Sequence, residues 1–200
     1  MTTITRYTST YDTISHILCD GNSFLWIAHE ADDDGVCHLK KVYASDLNQE
    51  VYDLSITANA IDGLYIYSNY IYVLFDSATT LLAKSYRVTS PITTYVEFER
   101  PAGITQESVD IMVSSYDGYV YILLAEESGV NSKIVKFDTD GYYDETIDID
   151  ASGIITESPS SFTMDDYGNI WIVTNTSPTK LVRVWYEDSV WDTLSFEIDG

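Results

Sequence analysis

Four short stretches of the chain repeat one arrangement of apolar and aromatic positions. They are Leu25-Trp26-Ile27-Ala28, Ile71-Tyr72-Val73-Leu74, Val120-Tyr121-Ile122-Leu123 and Ile170-Trp171-Ile172-Val173. The aromatic recurs at 26, 72, 121 and 171, a period of about 48 residues. Apolar residues in these stretches run continuously or alternate, with no 3.6-residue spacing, so the pattern predicts strands rather than helices. A turn signal precedes each stretch: Asp20-Gly21-Asn22, Ser68-Asn69, Asp117-Gly118 and Asp166-Tyr167-Gly168-Asn169. Asp, Asn and Gly reach the left-handed backbone region at low steric cost and close tight hairpins.

Three further elements recur around the first. Ahead of it come Ile14 to Leu18, Gly63 to Tyr67, Val109 to Ser114 and Ser161 to Met164. Behind it come Leu39 to Tyr43, Leu82 to Tyr86, Ile134 to Phe137 and Leu181 to Trp185. Each unit closes with Glu50 to Ser55, Thr94 to Phe98, Thr146 to Ile149 or Thr193 to Ile198. Four strands per unit at this period is the pattern of propeller blades. The expected fold is therefore all-β, a single four-bladed β-propeller domain with blades at 14–56, 57–99, 107–150 and 158–199. Arg100-Pro101-Ala102-Gly103 and Ser152-Gly153 read as linkers. Residues 1–13 carry an extra strand, Thr2 to Ser9, which either closes the ring or forms an arm that pairs with a neighbouring subunit.

Composition bears on function more than on fold. The 200 residues carry 32 Asp and Glu against 10 Lys and Arg, a formal net charge of -22. That balance opposes binding to phosphate-rich nucleic acid and to anionic membranes. Aromatic residues at 14% argue against a disordered chain. Met1 to Tyr7 lacks the apolar core of a signal peptide, and the longest apolar run, Tyr119 to Ala125, is too short to span a bilayer. The chain is thus expected to start at Met1 and to be made without Sec export. Cys19 and Cys37 are too few for a disulfide framework and are expected as buried, reduced thiols.

The segment Phe162-Thr163-Met164-Asp165-Asp166-Tyr167-Gly168-Asn169-Ile170-Trp171-Ile172-Val173-Thr174, followed by Leu181-Val182-Arg183, carries the most specific signal. It resembles a blade of the NHL, streptogramin-lyase-like and two-component-regulator propellers. Tyr116 to Ile122 and Asp20 to Ile27 match more loosely, and the second unit keeps only Ser68-Asn69 before Tyr70-Ile71-Tyr72. The resemblance implies a ring of blades. With about four units, such a ring closes only with a wide turn per blade, or by assembly with neighbouring chains.

The chemistry-bearing residues are sparse. His16, His29 and His38 all fall in the first unit, whereas propeller lyases of the streptogramin type spread metal-bound histidines over several blades. No nucleophile elbow or helical metal-ligand pair is present, so the chain is read as non-enzymatic and without a required cofactor. Cys19, His29, Cys37 and His38 match no zinc spacing and read as core thiols and solvated imidazoles. Asp32-Asp33-Asp34-Gly35 and Asp138-Thr139-Asp140-Gly141 resemble the start of a calcium loop but lack the closing Glu. Asp138 and Asp140 are accordingly candidate calcium ligands, with an ordinary hairpin turn as the alternative. Lys41, Lys84, Lys136 and Arg183 fall at equivalent places, and pairing with carboxylates such as Asp46 or Glu187 on an exposed face is favoured over an anion-binding ring.

Tyrosine supplies broad contact area at low entropic cost. Tyr67, Tyr70, Tyr116, Tyr119, Tyr186 and Trp191 are the candidate binding residues. The resulting expectation is an interaction module with protein partners in a homo- or hetero-oligomeric assembly. A structural or adhesion component of a phage or similar virus particle fits best, located in the virion, with the cytoplasm as the alternative. A second reading is a propeller that binds a carbohydrate or other surface ligand, and a propeller lyase or hydrolase comes last.

Overall fold

The computed structural model describes residues 13–21, 23–31, 35–58, 60–76, 82–87, 95–126, 131–149, 158–175, 178–187 and 190–198. Within these, side chains at 48–54, 56–57, 76, 82–87, 95–97, 187 and 190–191 fall outside the description. The expected N-terminal strand over Thr2 to Ser9 and the acidic run Asp32 to Asp34 also lie outside the described residues.

Every regular element among the described residues is a strand. The first sheet holds β1 (Ile14–Cys19), β2 (Phe24–His29), β3 (Val36–Tyr43) and β4 (Asp46–Thr57). The second holds β5 (Ala60–Tyr67), β6 (Tyr70–Asp76), β7 (Leu82–Arg87) and β8 (Tyr95–Glu97). Next come β9 (Glu107–Val113), β10 (Val120–Ala125), β11 (Lys133–Phe137) and β12 (Tyr143–Asp148). The last sheet is β13 (Pro159–Met164), β14 (Ile170–Thr174), β15 (Thr179–Glu187) and β16 (Val190–Ile198). All four are antiparallel meanders in sequence order, and each repeated aromatic stretch is a second strand. The chain divides at Glu97 and Phe98 into two compact units of two sheets each.

In the unit ending at Glu97, β1 and β2 lie against β5. Trp26, Ala28, Cys37 and Leu39 of the first sheet share one core with Ala58 and with Ile61, Ile71, Val73 and Phe75 of the second. Alternation explains the arrangement, because Trp26 and Ala28 share a face of β2 and the register sets Leu39 beside Ala28. The Cys37 thiol is buried and donates to the Ala58 carbonyl at 3.3 Å. Cys19, expected inside, is exposed at the end of β1. His29 and His38, expected in solvent, are both buried and stand opposite each other across β2 and β3.

In the unit beginning at Phe98, β13 packs against β9 and β10. Its core includes Ile111, Val120, Ile122, Leu124, Val135 and Ile147 with Phe162, Ile170, Ile172, Val182 and Val184. Asp110 joins the sheets, its Oδ2 accepting from the Ser161 hydroxyl at 2.8 Å and the Phe162 amide at 3.2 Å.

One repeated device is invisible to hydrophobic patterning. Each first strand carries one extra residue against its second strand, at Ser15, Asp62, Val109 and Ser160. Such bulges increase local twist and bend the strand. The Ser15 and Ser160 hydroxyls donate to the carbonyls of Ala28 and Val173, the equivalent positions of β2 and β14.

Trp26 is fully buried in the first unit's core. Trp26→Ala is expected to lower unfolding free energy by about 3–5 kcal/mol, the usual cost of emptying a large aromatic site. Tyr70→Ala, at a half-exposed position, should cost less than about 1 kcal/mol. Urea titrations of the two variants beside the wild type check the contrast.

Candidate functional site

The turn into β14 shows how a short polar motif builds rigid geometry. Asp165 Oδ1 accepts from the amides of Tyr167 and Asn169, both at 2.9 Å, and the Asp165 amide donates to the Asn169 carbonyl. Gly168 takes φ +82, where a β-carbon is strained. Asp165 Oδ2 then receives Trp171 Nε1 at 3.0 Å and Asn169 Nδ2 at 2.8 Å. Partial burial works against its charge, but these donors prevail and hold the carboxyl at about 2, below its ordinary 3.8. Asn169 Oδ1 in turn accepts from Arg183 at 2.8 Å, which sets the guanidinium 5.8 Å from the Trp171 ring and 5.0 Å from Trp185.

The same association of turn carboxylate, second-strand aromatic and third-strand cation appears in two other sheets. Lys41 stands opposite Trp26 in the register, 5.1 Å from its ring and 4.0 Å from Asp20. Burial pulls the Lys41 ammonium below its ordinary value, against the Asp20 charge. Lys136 stands opposite Tyr121, 4.2 Å over the Tyr119 ring and 5.9 Å from that of Tyr121. Its ammonium meets Asp144 at 3.0 Å, Glu145 at 3.4 Å and Asp117 at 3.9 Å. Burial opposes the charge of Lys136, but those carboxylates outweigh it and raise the affinity for the proton. Tyr121 donates its hydroxyl to Asp117 Oδ2 at 2.7 Å. Burial, that bond and the surrounding carboxylates all keep the phenol protonated.

The second sheet breaks the series. Its register puts Ser85, not Lys84, opposite Tyr72, and Lys84 faces Val73. The pairing of the second sheet is thus offset by one residue from that of the other three, which corrects the expectation of four cations in register. The setting is corrected too: Lys41 is 9% exposed, and its partner is the acid of the turn before β2. Of the acids expected as partners, Asp46 stands opposite Tyr43 in the register, and the Glu187 side chain lies outside the described residues.

Around Lys136 the second unit opens a pocket of about 370 Å³ between its two sheets. Tyr116, Tyr167, Tyr186 and Trp185 contribute aromatic walls, and Asp117, Glu145, Lys136 and Asn169 contribute polar groups. Tyr116, Tyr167 and Tyr186 are 61%, 85% and 60% exposed. The Tyr116 ring lies so close to Gly168 that a β-carbon there would sit 2.9 Å from its Cε1. Its amide donates to Ser114 Oγ, which in turn reaches Met164 Sδ across the sheets.

Of the six tyrosine and tryptophan candidates, Tyr116 and Tyr186 line this pocket, and Tyr119 lies under the Lys136 ammonium beside it. Tyr67 and Tyr70 pair with each other at the β5–β6 hairpin of the other unit. Trp191 stands opposite Tyr186 on β16, its side chain outside the described residues. Tyr167 and Trp185 were not anticipated as contacts, although both sit at or beside quoted motif positions. Asp138 Oδ1 accepts from the amides of Asp140 and Tyr142, both at 2.9 Å, which is hairpin-turn geometry. Among the described residues no three His, Cys, Asp or Glu side chains converge as a metal site. No helix there is long and apolar enough to cross a membrane.

No family model and no curated protein matches the chain. Solved structures do. The chain is similar to a protein of unknown function from Bacteroides caccae, at 11% identity and TM-score 0.63. It is also similar to a putative 6-phosphogluconolactonase from Bacteroides uniformis, at 14% and 0.60, and to a luciferin-regenerating enzyme, at 13% and 0.56. Each match covers 90% of this chain but only 60%, 55% and 57% of the other. The chain thus spans a little over half the length of these structures, and the likeness establishes an all-β fold of antiparallel sheets.

Asp165 gives this site a pH signature. Its carboxyl is depressed in the folded state, so the unfolded chain binds more protons at acid pH. Its contribution is complete above about pH 4 and is lost as pH falls towards 2. Asp165→Ala should lower stability at neutral pH by about 2 kcal/mol, since it removes hydrogen bonds to a charged group. The variant should also flatten the pH dependence of the urea midpoint between pH 4 and 2.

Proposed function

We propose that the chain is a non-enzymatic interaction module of β-propeller type, which engages its ligand through the pocket of the unit beginning at Phe98. The observation that carries this reading is the convergence of three exposed tyrosines and a tryptophan on one concave, polar-floored site. Exposed aromatic rings around a cleft supply contact area without a large entropic penalty. The polar groups of the floor are engaged with one another: Lys136 with Asp117 and Glu145, Tyr121 with Asp117, and Asn169 with Asp165 and Arg183. That arrangement suits recognition, because each of these groups is already engaged by a neighbour and so presents a preorganised surface to a ligand.

The propeller reading draws support from four four-stranded meanders in sequence order, with first strands side by side within each unit. The enzyme names among the similar structures carry fold and not chemistry at this level of identity. A place in a virus particle draws no support from the fold or from the comparisons, and the proposal is confined to the module.

Ligand-observed NMR with a fragment library tests the pocket directly. Fragments that bind the wild type should lose binding to a Tyr116→Ala, Tyr186→Ala double variant. They should also bind Gly168→Ala more weakly, because its methyl group displaces the Tyr116 ring. Fragment binding unchanged in the double variant would overturn the assignment of this site.

A further inference from the structure

We infer that the pocket between β9–β12 and β13–β16 recognises a neutral pyranose, a planar-faced polyhydroxylated ring, rather than a charged ligand. The inference rests on the reading of this pocket as the binding site, and it names the class of ligand.

Charge is the first part of the argument. The pocket contains its own cation, Lys136, already seated over Tyr119 and against Asp144, Glu145 and Asp117. An ammonium ligand entering the aromatic walls would meet that fixed positive charge, and the position a cation prefers, over a ring and beside carboxylates, is filled from within. An anionic ligand would meet Asp117 and Glu145 in the lining and the field of a chain with net charge -22. A neutral ligand meets neither obstacle.

Shape and hydrogen-bonding capacity are the second part. Tyr116, Tyr167, Tyr186 and Trp185 line the pocket, and aromatic rings stack against the C–H face of a pyranose. Sugar hydroxyls both donate and accept, so they need mixed partners. Asp117 accepts from the Tyr119 amide and the Tyr121 hydroxyl and meets Lys136, a carboxylate offers about four lone-pair sites, and tyrosine hydroxyls act in both senses. The pocket volume of about 370 Å³ falls at the small end of ligand sites, the scale of one or two sugar rings. One wall is braced in advance: Tyr116 rests against Gly168, and the Asp165 turn holds Gly168 and Asn169. A rigid aromatic wall reduces the ordering entropy that weak sugar binding otherwise incurs.

Saturation-transfer NMR and calorimetry with methyl glucoside, methyl galactoside, methyl mannoside and N-acetylglucosamine, beside glucuronic acid and glucosamine, test the class. At least one neutral sugar should bind, and the charged pair should bind more weakly than the matching neutral ring. Tyr116→Ala and Tyr167→Ala should each lower that affinity about three- to tenfold. Tyr167 is almost fully exposed, so its variant keeps the fold, and Tyr70→Ala, in the other unit, should leave binding unchanged. Tighter binding of glucosamine or glucuronic acid, with the same sensitivity to Tyr116, would overturn the ligand class and leave the pocket assignment standing. Sugar binding insensitive to Tyr116 and Tyr167 would overturn both. No binding by any neutral sugar would also overturn the ligand class, and the fragment experiment then decides the pocket separately.

Discussion

The arrangement on which the site depends is a sheltered cation held over an aromatic ring by a turn. A lysine or arginine in the middle of a sheet is costly to desolvate unless its charge is met. Three sheets solve the problem in the same way. Lys41, Lys136 and Arg183 stand opposite Trp26, Tyr121 and Trp171, and the polar groups of the preceding turn reach back to them. The pairing fixes the hairpin register, because a one-residue slip would turn the cation to the other face. In the second sheet the register sets Ser85 opposite the aromatic Tyr72, and there the preceding turn, Ser68-Asn69, has no aspartate. The turn carboxylate and the cation opposite the aromatic are absent together from that sheet.

The pocket follows from variation on this theme. In the last sheet the cation belongs to a closed set, with Asp165, Asn169, Trp171 and Arg183 satisfying one another. In the third sheet the turn is one residue longer, and Ser114 takes over the role of turn acceptor. That frees Asp117 to accept from Tyr121 and to meet Lys136 at the pocket floor. It also projects Tyr116 across to Gly168 of the next sheet. One inserted residue thus converts a structural turn into a wall of a cavity.

Much of the fold was legible because a strand's signal is local. The repeated quartet and the Asp/Gly turns identify second strands and hairpins without reference to anything distant. The bulges at Ser15, Asp62, Val109 and Ser160 were not legible, because each falls within the first three residues of its strand, where too few positions precede it to show a change of phase. The misplacement of Lys84 has a related cause. A Φ-x-Lys spacing matches the other third strands, but spacing within one strand does not set its pairing, and in the second sheet Ser85 rather than Lys84 stands opposite Tyr72. Burial of individual polar residues was equally hidden: His29 lies fully inside although imidazole is usually half-exposed. Tyr116 and Tyr186 were legible as exposed positions, because tyrosine beside a turn is a surface signal, and both line the pocket. Tyr167 and Trp185 were passed over because their motif already had a structural explanation.

The net charge of -22 takes on a different meaning once these contacts are placed. Several carboxylates serve as internal acceptors, Asp165 for two amides, an indole and a side-chain amide, Asp110 for the neighbouring sheet, and Asp138 for its own turn. An acid used this way replaces a backbone contact that a small, loop-rich β-sheet cannot otherwise make, and it does so best when ionised. Acidity is therefore partly a consequence of building tight turns from aspartate. The rest sets a long-range field that discourages anions. Where the field meets the pocket, Lys136 offsets it locally. On the proposed reading, selection among ligands there falls to ring faces and hydroxyl geometry, which long-range charge does not distinguish.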